Sequence, residues 1–119
     1  MFVDVNGLKA VNDRDGHPAG DRLLKGTAAM LKESFSGHEI FRVGGDEFLI
    51  LATGCNEEDF YSMADVLKES SEKSKNIRIA VGACFADASM DIRKAMRLAD
   101  EKMYKDKKEF YQNHPEFSR

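Results

Sequence analysis

Asp46 and Glu47 stand side by side directly after Gly44-Gly45, between two apolar, β-prone runs. The glycines suit a two-residue type I′ hairpin, which needs positive φ at both central positions. A turn at a sheet edge would then carry two acids where a polyphosphate and its metal ions can reach them. Asp4 closes another apolar run, Phe2 to Val5. In α/β sheets ligands gather off strand ends. If the first strand lies beside the hairpin, Asp4 and Asp46 face each other across one strand spacing. Two carboxylates with nearby backbone oxygens make a hard-oxygen site suited to Mg²⁺. Two such ions would serve an in-line phosphoryl displacement. Adjacent strand residues point to opposite faces, so Asp46 takes the main role and Glu47 a supporting one.

Further polar residues follow closely. Lys9 lies five positions after Asp4, within reach of a phosphate, although a lone lysine is more often simply solvated. Asn12, His17 and Asp21 come next, with Gly16 and Gly20 each just ahead of a polar residue. A carboxylate accepts two N–H bonds, which matches the N1–H and N2–H₂ edge of guanine, and an asparagine adds a donor and an acceptor. Helix capping by Asp15 and turn glycines account for part of the same pattern. A capping or packing role for His17 stands beside a ligand contact.

The elements that must position these residues are legible in outline. Phe2 to Val5 is a strand ended by Asn6-Gly7, and Leu8 to Asp13 a short helical or irregular stretch. Pro18 fits the first position of a helix running to about Ser34, with Leu24, Ala28, Leu31 and Phe35 at helical spacing. Glu39 to Val43 and Asp46 to Ala52 form the hairpin arms. Their nearly continuous apolar content places both in the middle of a sheet covered on two sides. Asn56 and the acids after it open a helix whose buried stripe is Phe60, Met63, Ala64 and Leu67. Ile77 to Phe85 alternates as a strand. A last helix begins near Met90, with Ile92, Ala95, Met96, Ala99 and Met103 inward, and residues 105–119 form a charged, frayed tail. This is one α/β domain, residues 1–119, with a mixed sheet flanked by helices.

Composition narrows the function classes. The chain has 119 residues, 42% hydrophobic and 33% charged, which suits a single folded core rather than disorder. A net charge of −3 argues against a general nucleic-acid surface. No apolar run is long enough for a membrane segment, and Cys55 and Cys84 lack disulfide or metal-ligand spacing, as expected of cytoplasmic thiols. The first residues already read as a strand, so sequence upstream is expected.

Taken together, Phe2 to Asp21 (FVDVNGLKAVNDRDGHPAGD), Arg42 to Phe48 (RVGGDEF) and Leu98 to Tyr104 (LADEKMY) resemble the GGDEF family of diguanylate cyclases. The resemblance covers essentially the whole chain. It implies a mainly antiparallel α+β sandwich like the polymerase palm and the class III nucleotide cyclases. It implies condensation of two GTP into cyclic di-GMP with release of two pyrophosphates. Carried over, Asp4, the Val5 carbonyl and Asp46 hold Mg²⁺, two ions per half-site, with Mn²⁺ as a substitute. Asp46 helps deprotonate the attacking 3′-hydroxyl. Asn12 and Asp21 read guanine, His17 lines the nucleotide, and Lys9 and Lys107 touch phosphate. One chain holds one GTP, so turnover requires a second copy of the domain, under control of an upstream sensory domain. The same residues would also suit a module that responds to GTP or cyclic di-GMP without turnover.

Three positions depart from the family pattern. The usual Leu-Thr-Gly-Leu-x-Asn-Arg lead-in is absent from this sequence. Phe35 and His38 stand where many members carry an Arg-x-x-Asp product-inhibition site, so feedback through it is not expected. Phe110-Tyr111-Gln112 replaces a Gly-Arg-Asn run, which puts a tyrosine where a guanidinium usually meets phosphate.

Overall fold

A computed structural model describes residues 1–74 and 76–117. The element order is β1 (Phe2–Val5), α1 (Leu8–Asp15), α2 (His17–Ser34), β2 (Glu39–Arg42), β3 (Glu47–Leu51), α3 (Glu57–Lys73), β4 (Ile79–Gly82), α4 (Ile92–Asn113) and a closing 3₁₀ turn (Pro115–Phe117). The four strands form one sheet in the order β2-β3-β1-β4. Each pairing is antiparallel, so the expectation of a mainly antiparallel sheet holds without a parallel pair among the described residues.

The register assigns every β1 residue a face. Val3 lies level with Phe48 and Val81, while Phe2 and Asp4 lie level with Leu49 and Glu47 on one side and Gly82 and Ala80 on the other. Because side chains alternate, Val3, Val5, Phe48, Ile50 and Val81 share one face. That face packs with Leu31, Phe35, Phe60, Ala64 and Leu67 into the main core. Each residue of that cluster is buried, Val3, Leu31, Ile50 and Leu67 completely. The other face belongs to α4, whose Ala95, Ala99 and Met103 are buried. Gly82 lets this helix approach: a Cβ there would lie 1.9 Å from the Ala99 carbonyl oxygen and 2.3 Å from the Met103 nitrogen.

The helices begin where the sequence directs. Asn56 caps α3 by accepting the Asp59 N–H at 2.8 Å, and Asp91 caps α4 by accepting the Arg93 N–H at 2.9 Å. Pro18 lies in the first turn of α2 as expected. Asp15 does not cap that helix; its carboxylate pairs with Arg14 instead.

Four expectations are corrected. Neither Gly44 nor Gly45 lies in the left-handed region. The connection runs from Val43 to Asp46, and a longer loop needs no type I′ turn. The Arg42 guanidinium braces it by donating to the carbonyls of Gly44 and Gly45, at 3.2 and 2.7 Å. Of the two hairpin arms, only β3 is a central strand. β2 is an edge, and Phe41 and Val43 are about half exposed, because α4 lies across β4 and β1 and does not reach β2. Ile92 is exposed for the related reason that it opens α4 beyond the sheet. Finally, residues 105–117 are not a frayed tail. α4 continues to Asn113, where Phe110 stacks on His114 and Phe117 packs tilted against both. Their aromatic spacing outweighs the charge that suggested fraying. Residues 118–119 of the expected tail lie outside the described residues.

Candidate functional site

The site forms where β1, β3 and α4 meet. Asp4 lies on the α4 face of β1, level with Glu47 of β3. Asp46 is tied to the same place through its backbone, because the Val5 N–H donates to the Asp46 carbonyl at 2.8 Å. From α4, the Lys107 ammonium reaches the Asp4 carboxylate at 3.3 Å. Five of the expected residues are thus brought together: Asp4, Val5, Asp46, Glu47 and Lys107.

The electrostatics of this cluster follow from crowding acids under a helix. Asp4 is 4% exposed. Burial, then the Asp46 charge, push its carboxyl up from 3.8 to about 6, against the pull of Lys107. Glu47 is also raised, first by burial and then by Asp100 and Asp46. Burial alone would lower Lys107, but the Asp4 charge and hydrogen bond more than reverse this, so its ammonium is held above the ordinary range. These acids repel one another and leave a deficit of positive charge that one lysine only partly fills.

A divalent cation fits that deficit. The Asp4 Oδ1 is buried without a hydrogen-bond partner, an acceptor free for a hard cation. No three His, Cys, Asp or Glu side chains among the described residues converge into a ready cage. Mg²⁺ does not demand one, since it keeps waters and takes substrate phosphate oxygens alongside one or two carboxylates.

The remaining expected residues lie on α1 and α2. Lys9 is exposed on the first turn of α1; His17 and Asp21 are exposed on the first turns of α2. They do not join the acidic cluster. Asn12 is half-buried, its Oδ1 enclosed without a partner. It nests against Gly20, where an added Cβ would lie 1.8 Å from that oxygen. Gly20 is therefore the clearance that admits the Asn12 amide between the two helices. Gly44 and Gly45 are exposed at the hairpin tip, and a Cβ on Gly45 would meet nothing within 4 Å.

Sequence reasoning missed two residues. Asn6 read as half of an Asn-Gly turn, yet it is 4% exposed and neither end of its amide has a partner. Its even spacing from Asp4 was the available signal, since both then share a strand face. Asp100 joins through its charge on Glu47, and only the packing of α4 reveals it.

Comparison with known proteins agrees with this geometry. A family model described as "Diguanylate cyclase, GGDEF domain" matches residues 1–113. Diguanylate cyclase DosC of Shigella sonnei is 30% identical over 114 residues, covering 87% of this chain and 25% of that protein. Probable diguanylate cyclase DgcI of Escherichia coli K12 is 31% identical, covering 90% and 25%. The chain thus spans about a quarter of the length of these curated relatives. Among solved structures, a microbial GGDEF domain described in its interaction with cyclic di-GMP superposes with a TM-score of 0.76 at 30% identity, covering 89% of this chain and 69% of that one. The active GGEEF domain of a diguanylate cyclase from Vibrio cholerae gives 0.73 at 27%, covering 87% and 72%. A fold, an acid-bearing hairpin and a family model that agree over nearly the entire length make this chain a member of the GGDEF family.

Proposed function

We propose that this domain is a diguanylate cyclase, condensing two GTP into cyclic di-GMP and two pyrophosphates. The observation that carries the reading is the Asp4–Asp46–Glu47 cluster facing Lys107, with an unpartnered buried Asp4 oxygen at its centre. Such a site suits a metal-bound triphosphate.

Asp4, the Val5 carbonyl and Asp46 would hold Mg²⁺, with Mn²⁺ as a substitute. When bound, the ions supply Lewis-acid stabilisation of charge on the phosphate oxygens. The protein's own residues do the rest. Asp46, on the exposed hairpin loop, accepts the proton of the attacking 3′-hydroxyl, and Glu47 supports it. Lys107, now paired with Asp4, and Lys9 would hold the phosphates by charge. Asn12 and Asp21 receive the guanine edge and His17 lines the nucleotide. Two domains must face each other, because the 3′-oxygen of one bound GTP attacks the α-phosphorus of the other in line with its leaving pyrophosphate. An upstream sensory domain would set how often they meet. GTP as substrate places the domain on the cytoplasmic side, and no helix among the described residues is long and apolar enough to cross a membrane.

Calorimetric titration with Mg·GTP and Mg·ATP tests the substrate assignment. Binding of GTP in clear preference to ATP, abolished by Asp4→Ala, is expected. Equal affinity for both nucleotides would contradict the guanine assignment. GTP binding without turnover in a dimer would point instead to a responsive module.

A further inference from the structure

A cleft of about 650 Å³ opens between α1, α2 and the residues that lead into β4. That volume is the size of a pocket for one small molecule. None of the residues proposed for the metal, the phosphates or the guanine lines it.

Its lining combines two chemistries. Val11 of α1, Leu23 of α2, Ile77 and the Phe117 ring supply apolar surface. Arg14, Arg22 and Arg78 bring three guanidiniums to the same space, against a single carboxylate, Asp15. That carboxylate is already taken, because Arg14 holds it at 3.0 Å. Among the described residues, neither Arg22 nor Arg78 has an ion pair. Arg78 lies instead over the Phe117 ring, 5.0 Å from its centroid. The same ring abuts the start of α1, where a Cβ on Gly7 would come within 3.0 Å of it. A chain with a net charge of −3 thus gathers two uncompensated guanidiniums at one partly apolar cleft. A cleft lined by one sign of charge concentrates ligands of the other sign.

We propose that this cleft binds an organic phosphate, a phosphate ester that carries a flat ring. The phosphate lies between Arg22 and Arg78, whose planar forks match its oxygens. The ring lies against Leu23, Ile77 and Phe117. Two unpaired cations suit a dianion better than a single carboxylate. The apolar lining adds nothing for inorganic phosphate but gains from covering a ring. The cleft is independent of the Asp4–Asp46–Glu47 cluster and needs no metal ion.

NMR titration of the 119-residue chain in EDTA, which keeps divalent ions off the acidic cluster, tests this with three probes. They are phenyl phosphate, inorganic phosphate for charge without a ring, and benzyl alcohol for a ring without charge. Phenyl phosphate should shift the amides of Val11, Arg22, Ile77 and Arg78. The other two probes should each bind about tenfold more weakly. A double variant, Arg22→Gln with Arg78→Gln, should lose about tenfold in affinity for phenyl phosphate at an unchanged melting temperature. The proposal is overturned if phenyl phosphate leaves those amides unshifted. Equal affinity for phenyl and inorganic phosphate overturns it as well, since the guanidiniums would then attract any anion. So does undiminished binding by the double variant. The three-probe comparison stands without the variant, so a failure of the variant to fold leaves the test decisive.

Discussion

Asp4 concentrates the physics of the site. Its carboxyl, raised from 3.8 to about 6 by burial and by Asp46, keeps its proton in the folded chain over a pH range where the unfolded chain has lost it. The folded state then binds the extra proton, so without divalent ion stability falls as pH rises from about 4 to about 6 and stays low above. Asp4→Asn removes the buried charge. It should raise stability at pH 7.5 by on the order of 2–3 kcal/mol in urea melts, with the difference shrinking toward pH 4, and abolish Mg·GTP binding. A stabilised but inert variant is the signature of a site strained for function. Gly20→Ala tests the neighbouring subsite. Its Cβ would lie 1.8 Å from the Asn12 oxygen and push that amide aside. GTP affinity should fall about tenfold while ATP affinity changes little, as lost guanine contacts require. Asp4 and Asp46 were legible because acids at a strand end and after a double glycine have few structural uses. Asn6 was not, because the same two letters, Asn-Gly, satisfy a turn as readily as a site.

The elements explain what the sequence could and could not reveal. Strands β1, β3 and β4, helix α2 and the Asn56-capped α3 followed from local periodicity and caps, which are written in neighbouring residues. The edge position of β2 was hidden, since Ile40 and Phe41 look as apolar as a central strand and only the path of α4 leaves Phe41 bare. The order of residues 105–117 was hidden for a similar reason. Charges dominate that stretch, while its fixed points, Asp106 accepting the Val81 N–H at 2.9 Å and Tyr111 accepting that of Gly7, are contacts to distant strands and turns. α4 emerges as the element on which the site depends, because it carries Lys107 and rests on Gly82. Gly82→Ala would drive a methyl into the backbone of that helix, within 1.9 Å of the Ala99 oxygen. It should destabilise the fold by roughly 3 kcal/mol or more in thermal and urea melts, through overpacking that no side-chain rotation relieves.

At the scale of the whole molecule, the proposed reading makes the domain half a reaction centre. Its acids and Lys107 lie on one side of the sheet, and on that reading a single copy would position one nucleotide. The rate per chain should therefore rise with protein concentration until the dimer is saturated, whereas a self-sufficient site would give a constant specific activity. The relatives are about four times longer than the matched region. The central claim is that the hairpin acids carry out GTP condensation. Its most direct test is incubation of a dimeric form with GTP and Mg²⁺, followed by mass spectrometry and pyrophosphate assay, beside an Asp46→Ala variant. The account predicts cyclic di-GMP with two equivalents of pyrophosphate from the unsubstituted protein and none from the variant. Product from Asp46→Ala at an undiminished rate, or none from a dimer that binds GTP, would contradict it.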